Sequence, residues 1–339
     1  MSNPSIRTRP STPLQFAAAI SILILSAALA VAWARAISQP TGSDSWPAPT
    51  MTSPTAIGLS VAALTPQPPT RMPQPTATAV APTPTRQPPS PTATRAEPPQ
   101  CKDTTGQVVV STFLSHVSGT EQHYRVYLPP CYERTDKRYP TLYLIHGSNS
   151  DDTHFEQLGL FDVMNDGLRA GRFAPAIIIL PDGDRNLYMN TSGGPGTYEP
   201  QIVDELVPLI DRTYRTDAQR KARAIGGISR GGVWSLEIGF LHPDLFGIVG
   251  GHSAALNVNL APPSLNPLQL TTLPSLKTQR IYLDAGDTDY VRPGVDRLHL
   301  ALQADDVPHT YQVWPGAHED SLWAAHLSDY LEFYTQTWR

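Results

Sequence analysis

The last two thirds of the chain alternate short apolar, β-branched runs with segments whose apolar residues recur at the helical period. The runs at 108–113, 124–128, 141–145, 176–180, 222–226, 246–250, 281–284 and 311–314 predict eight strands. The inner runs show no polar alternation, which is how strands covered on both faces read. Segments 155–168, 202–213, 233–241 and 321–334 carry the helical pattern between them. Together they predict an α/β fold, a mostly parallel eight-stranded sheet with helices on both faces. The short connection between the first two strands implies an antiparallel start, and ligands are expected at the carboxyl ends of the strands.

The first hundred residues follow another pattern. Residues 16–34 carry no charge and come after Arg7 and Arg9, which predicts a membrane-targeting segment whose N-terminus stays in the cytoplasm. At about 1.5 Å per residue the run is long enough to span a bilayer. It exceeds the usual signal-peptide core, so an uncleaved anchor is favoured over a signal peptide removed after Ala34. Residues 37–100 are dominated by Pro, Thr, Ala, Ser and Gln, too little apolar surface to offset the entropy of ordering. Closely spaced prolines bias such a tract toward an extended spacer. The expected organisation is an anchor or signal peptide over 1–36, a disordered Pro/Thr-rich linker over 37–100, and a folded domain over 101–339 held outside the cytoplasm.

The net charge is −5 and the folded part shows no basic run, which excludes nucleic acid as an expected partner. Cys101 and Cys131 are the only cysteines. In an oxidising compartment such a pair is expected to bridge, worth roughly 3–4 kcal/mol on the chain-entropy account. No metal-ligand spacing and no dinucleotide or phosphate-loop glycine pattern occurs, so neither metal nor cofactor is expected.

The chemistry centres on Gly227-Ile228-Ser229-Arg230-Gly231, flanked by a strand-like run before and a helix-like run after. A serine on a sharp strand-to-helix turn projects its hydroxyl into a cleft, and the small flanking residues let strand and helix approach. A hydroxyl of ordinary acidity is a poor nucleophile and needs a base, itself oriented by a carboxylate. His318, in the glycine-containing loop after the last strand, is the candidate base; His326 falls on the apolar stripe of the final helix and is expected to pack there. Asp284, Asp287 and Asp289 crowd one loop. Asp289 is preferred as the acid, because Asp284 is expected to remain in the strand and Asp287 in the turn; Asp287 is the second candidate, with local capping as the alternative role for all three. The oxyanion of a tetrahedral intermediate needs amide donors, expected from Arg230 and from Ser148 in Leu144-Ile145-His146-Gly147-Ser148. Tyr188 and Tyr198, in a Gly- and Asn-rich segment, suit stacking on sugar or aromatic rings, and the Leu/Pro-rich 254–278 is a candidate roof for an acyl pocket.

Tyr127-Leu128-Pro129-Pro130, the run from Arg138 to Gly147, Gly227-Ile228-Ser229-Arg230-Gly231-Gly232 and His242-Pro243-Asp244-Leu245-Phe246 resemble the putative-esterase family of α/β-hydrolases. That family includes esterase D, feruloyl and acetylxylan esterases, enterochelin esterases and the mycolyltransferases. The resemblance covers residues 108–333. It implies acyl-ester chemistry with Ser229, Asp289 and His318 as a triad, and thus an exported serine carboxylic-ester hydrolase acting on a small-molecule or polysaccharide-linked ester. Transfer of the acyl group to a sugar or glycerol hydroxyl, and a non-catalytic surface binding module, are the alternatives. Arg230 departs from the methionine or other uncharged residue of many members, and its guanidinium is expected either to bind an anion at the mouth or to pair with a carboxylate outside it.

Overall fold

The computed structural model describes residues 101–190, 192–258 and 261–339. The expected anchor and linker, residues 1–36 and 37–100, lie outside the described residues. Among the described residues no helix is long and apolar enough to cross a membrane.

Eight strands form one sheet: β1 Gln107–Leu114, β2 Glu121–Leu128, β3 Thr141–Ile145, β4 Ile177–Pro181, β5 Arg223–Ile228, β6 Ile248–His252, β7 Arg280–Gly286 and β8 His309–Trp314. Their order is β1-β2-β4-β3-β5-β6-β7-β8. β1 pairs antiparallel with β2, in register from Gln107 opposite Leu128 to Leu114 opposite Glu121, and β2 pairs antiparallel with β4. All remaining pairings are parallel. The mostly parallel sheet and antiparallel start read from the sequence are thus observed.

The period of a strand divides these residues between two cores. Tyr143, Ile145, Ile177 and Ile179 join one, with Ile225, Val249 and Leu283. Leu142, Leu144, Ile178 and Leu180 join the other. The first core is covered by α2 Val207–Thr213, α3 Arg230–Leu241 and α4 Arg292–Ala304, through side chains such as Ile210, Trp234 and Leu298. The second is covered by α1 Leu160–Arg169 and α5 Asp320–Thr335, through Phe161, Met164, Leu327 and Leu331. Every residue of β3, β4, β5 and β6 is buried, which is why those strands show no polar alternation, their polar residues standing only at the ends.

Two helical features differ from the sequence expectation. The segment 155–168 is two helices, His154–Gln157 and α1, because Gly159 takes a φ of 91° and breaks the run. Helix α4 lies outside the four segments read as helical, although the 29 residues between Asp289 and His318 leave room for one; Pro293 stands in its first turn, where its missing N–H costs no intrahelical bond.

A buried polar network crosses the middle of the sheet. His252 Nδ1 lies 3.1 Å from Asp284 Oδ1, and His252 Nε2 lies 2.9 Å from the Tyr334 hydroxyl. Tyr330 donates to the other Asp284 oxygen at 2.7 Å. A Cβ placed on Gly226 or Gly250 would fall 1.8 or 1.9 Å from the Tyr334 oxygen, so two glycines make the hole that admits this phenol. Cys101 and Cys131 form a disulfide that ties the approach to β1 to the turn after β2, with Cα atoms 5.8 Å apart.

Candidate active site

Ser229 stands between β5 and α3 with φ 57° and ψ −115°, a backbone conformation that costs a side-chain-bearing residue roughly 1–3 kcal/mol. Its surroundings hold it there. The Ser229 amide donates to His252 O at 2.9 Å, and the Ser229 carbonyl accepts from Val233 and Ala255 amides, each at 3.1 Å. Gly231 permits the turn by close approach: a Cβ there would sit 2.2 Å from Ile145 O and 2.3 Å from His146 O. The turn therefore presses on the end of β3 and brings the serine beside Gly147 and Ser148.

His318 follows β8 and Asp289 follows β7, so parallel strand ends carry all three side chains to one edge. His318 Nε2 lies 2.9 Å from Ser229 Oγ, and His318 Nδ1 lies 3.0 and 3.1 Å from the two Asp289 oxygens. Burial acts to raise the Asp289 pKa. The His318 hydrogen bond, the nearby Ser253 hydroxyl and the Val291 amide outweigh it, and hold the carboxyl below its ordinary value. Asp289 is thus an anion throughout the neutral range, a state that fixes a proton on His318 Nδ1 and leaves Nε2 to accept from the serine.

The other two aspartates of that loop are occupied elsewhere. Asp284 is fully buried in the His252 network, and Asp287 accepts the Gly316 amide at 2.9 Å, bracing the loop that bears His318. His326 is half-buried, stacks on Trp314 at 4.0 Å and bonds Asp329 at 2.9 Å, well away from the serine.

The cleft above Ser229 measures about 670 Å³ and is lined by polar groups of the 147–150 loop, Gln157 and the 318–321 loop, with Tyr290 and Trp323 beside them. Tyr290 is 64% exposed, with its ring centre 4.7 Å from that of His318. Trp323 presents its edge to His318 at 5.0 Å and to His154 at 5.9 Å.

His154, Tyr290 and Trp323 were not among the residues singled out by sequence. His154 is buried, and its Nδ1 accepts the Gly147 amide at 3.2 Å. An amide can only donate, so Nε2 carries the proton and donates to Asp320 Oδ1 at 3.1 Å. Asp320 opens α5, two residues beyond His318. One imidazole thereby connects the Gly147–Ser148 loop to the His318 loop. The one sequence signal for it was a histidine between Thr153 and Phe155, shortly after the β3 loop.

Two expectations about the cleft, the tyrosine pair and the 254–278 roof, are corrected. Tyr188 and Tyr198 are 2% and 0% exposed and lie beneath the site rather than in it. The Tyr188 hydroxyl donates to His146 O, and the Tyr198 hydroxyl to Asp182 O at 3.2 Å. Each ring is large enough to fill core volume and its one polar atom finds a carbonyl, so both brace the strand ends. Of the two expectations for Arg230, the structure favours a place away from the mouth: its guanidinium turns inward over the Trp234 ring at 4.8 Å, its Nε donates to Tyr188 O at 3.2 Å, and the Glu237 carboxyl acts on its charge. The described part of 254–278 packs on the first core through Leu256, Leu270 and Leu276 and does not line the cleft.

Behind the site, Glu237 on α3 is fully buried with neither carboxylate oxygen hydrogen-bonded. Burial, then the Glu199 charge, push its pKa up to about 8, while Arg230 acts in the lowering direction. The folded state keeps this proton up to about pH 8, whereas the unfolded chain releases it near the ordinary value of 4.5. Between those values the unfolded state binds fewer protons, so this group makes stability fall as pH rises. Glu237→Gln is expected to remove that fall and to melt roughly 5 °C above the parent at pH 8, with a smaller difference at pH 5. Thermal melts of both proteins at the two pH values check this; a gap that does not grow with pH contradicts it.

A doubly covered, mostly parallel sheet with a serine on the turn after its fifth strand defines the α/β-hydrolase class. Within that class, residues 115–334 match the family described as "Putative esterase", and the chain belongs to it. A solved ferulic acid esterase superposes with a TM-score of 0.62 and 27% identity, covering 68% of this chain and 99% of that one. S-formylglutathione hydrolase from Staphylococcus aureus superposes at 0.58 with 18% identity, covering 68% of this chain and 98% of that one, a likeness of fold. An endo-1,4-beta-xylanase/feruloyl esterase of Xylanibacter ruminicola is 35% identical over 153 residues, 43% of this chain and 21% of that protein. An esterase of Mycobacterium tuberculosis is 33% identical over 147 residues, 42% of this chain and 31% of its own length. The chain thus spans well under half the length of these two curated relatives.

Proposed function

We propose that this protein is an exported serine carboxylic-ester hydrolase working through an acyl-enzyme on Ser229. The observation that carries the reading is the 2.9 Å contact of His318 Nε2 with Ser229 Oγ, with Asp289 behind the imidazole. In the first step Ser229 Oγ attacks the ester carbonyl while Nε2 takes its proton, then returns that proton to the leaving alcohol. In the second, Nε2 takes a proton from water, whose oxygen attacks the acyl carbonyl, and Ser229 regains its hydrogen as the acid departs. The negative oxygen of each intermediate is held by the Arg230 amide, which as the first residue of α3 has no intrahelical acceptor, and by the Ser148 amide.

The substrate class follows from the cleft. Its polar floor suits a hydroxyl-rich alcohol, and Tyr290 with Trp323 suits a planar acyl group. The ferulic acid esterase at 27% identity supports the aromatic acyl half of this choice, and the polar floor the saccharide half. Feruloylated and acetylated oligosaccharides, p-nitrophenyl acyl esters and an added alcohol acceptor, assayed together, test it. Release of free aromatic acid from the feruloylated substrate is expected. Inert feruloyl esters would discard the substrate class, and acyl recovered wholly on the added alcohol would discard hydrolysis.

His154 has a place in this mechanism as a positioning residue, since its bond to the Gly147 amide sets the course of the loop that presents Ser148. His154→Ala is expected to lower kcat by about 10- to 100-fold with KM little changed, because a donor misplaced by about 1 Å stabilises the transition state poorly. His154→Asn, whose side-chain carbonyl can accept the same amide, is expected to recover part of the loss. Steady-state kinetics on the two variants decides, and equal kcat in all three proteins contradicts the role.

The proposal also places the domain outside the cytoplasm, on the linker of residues 37–100 and the apolar segment 16–34. The Cys101–Cys131 disulfide supports export, since such bridges persist in oxidising compartments.

A further inference from the structure

Opposite the cleft, a second concavity of about 510 Å³ opens at the amino ends of β3, β5, β6 and β7. With central strands of five to seven residues, about 3.3 Å each, the two openings stand roughly 17 Å or more apart. Arg138, Arg220, Lys221 and Arg280 line it, with Asp217 and the Trp338 indole. No basic run in the sequence announces this group, because its members come from three separate segments that the sheet edge gathers.

The three arginines are held in place without a carboxylate partner among the described residues. Arg220 Nε donates to Pro243 O at 2.7 Å, and Arg138 donates to Thr216 O at 3.0 Å. Arg280 donates to Thr337 Oγ1 at 3.0 Å and to Phe333 O at 2.8 Å, with its guanidinium over the Phe333 ring at 4.6 Å. These bonds fix the guanidinium planes while leaving other N–H groups of each uncommitted. Six arginines elsewhere among the described residues, Arg125, Arg134, Arg169, Arg223, Arg292 and Arg339, lie within 4.0 Å of a carboxylate, while others such as Arg172 and Arg215 meet a hydroxyl or a ring instead. None of the four pocket cations lies that close to a carboxylate among the described residues. Asp217 is the one acid in the lining, and its Oδ1 accepts the Gln219 amide.

Burial pushes the Arg280 guanidinium below its ordinary value. Arg220 and Arg280 are half-buried at the cavity while Arg138 and Lys221 stand exposed at its mouth, so four positive groups converge on one space with a single acid, Asp217, among them, an arrangement that an anion would complement.

We propose that this pocket binds an oxyanion, the carboxylate or phosphate of a small ligand, at a site separate from the ester-cleaving cleft. The inference does not depend on the role of Ser229. Isothermal titration of the full chain with glucuronate, inorganic phosphate and glucose tests it. Saturable binding of glucuronate or of phosphate, weakened by added salt, is expected, with none for glucose. Tighter glucuronate binding identifies an acidic sugar as the source, and tighter phosphate binding a free or ester-linked phosphate. Arg138→Gln and Lys221→Gln, both exposed in the parent, are each expected to weaken binding by about tenfold or more while ester hydrolysis stays at the parent rate. Arg280→Gln is expected to abolish binding, with a thermal melt reporting its fold. Absence of binding by both anions, equal binding of glucose, or unchanged affinity in Arg138→Gln and Lys221→Gln would each overturn the site.

Discussion

Ser229→Ala is expected to lower kcat by about 10⁵- to 10⁶-fold, the scale on which loss of the nucleophile collapses a triad whose members act together. Only the hydroxyl disappears. The backbone at φ 57° is as strained with alanine as with serine, so the melt should stay within a few °C of the parent. Binding of substrate should survive as well, because the cleft walls and amides are untouched. Steady-state kinetics with a p-nitrophenyl ester, paired with a melt, checks the claim; a variant that folds and keeps more than about one per cent of kcat contradicts it.

Asp289→Asn carries the second large effect, about 10⁴-fold in kcat with the fold retained. The carboxylate accepts from Nδ1, and an amide in its place can present its NH₂ instead, which favours the tautomer whose Nε2 is protonated and cannot act as a base. The neighbouring aspartates give the contrast. Asp287→Asn keeps an oxygen for the Gly316 amide and should change kcat by less than about tenfold. Asp284→Asn disturbs the buried His252 and Tyr330 bonds, so its expected effect is a lower melting temperature with near-parent kcat. Kinetics and melts on the three variants separate these outcomes; a kcat loss largest in Asp284→Asn would reassign the acid.

Much of this was legible in the chain because its signals are local. An eight-strand reading succeeded since β3 to β6 are buried on both faces and carry their few polar residues, Thr141, Arg223 and His252, at strand ends where they do not blur the run. Ser229, Asp289 and His318 each follow a strand, and strand ends of a parallel sheet share an edge, so chain order alone foretells their meeting. What stayed hidden depends on contacts between distant segments. Tyr188 and Tyr198 have the composition of a binding loop, and only packing against Trp234 and each other, at 5.3 and 5.1 Å, turns them inward. His154 looks like any histidine until Gly147 and Asp320 flank it. Helix α4 was obscured by a Pro-Gly pair that signals a turn in isolation and a helix start once Val295, Leu298 and Leu302 find the core. The cationic pocket is the extreme case, since no two of its segments adjoin in sequence.

The most direct measurement of the central claim is covalent. Treatment of the parent, Ser229→Ala and Asp289→Asn with a fluorophosphonate probe, followed by peptide mass mapping, reports which oxygen is the activated nucleophile. The account predicts stoichiometric phosphonylation of Ser229 in the parent, none in Ser229→Ala and slow labelling of the same serine in Asp289→Asn. Phosphonylation of another residue, or an unlabelled parent that still hydrolyses esters, would contradict it.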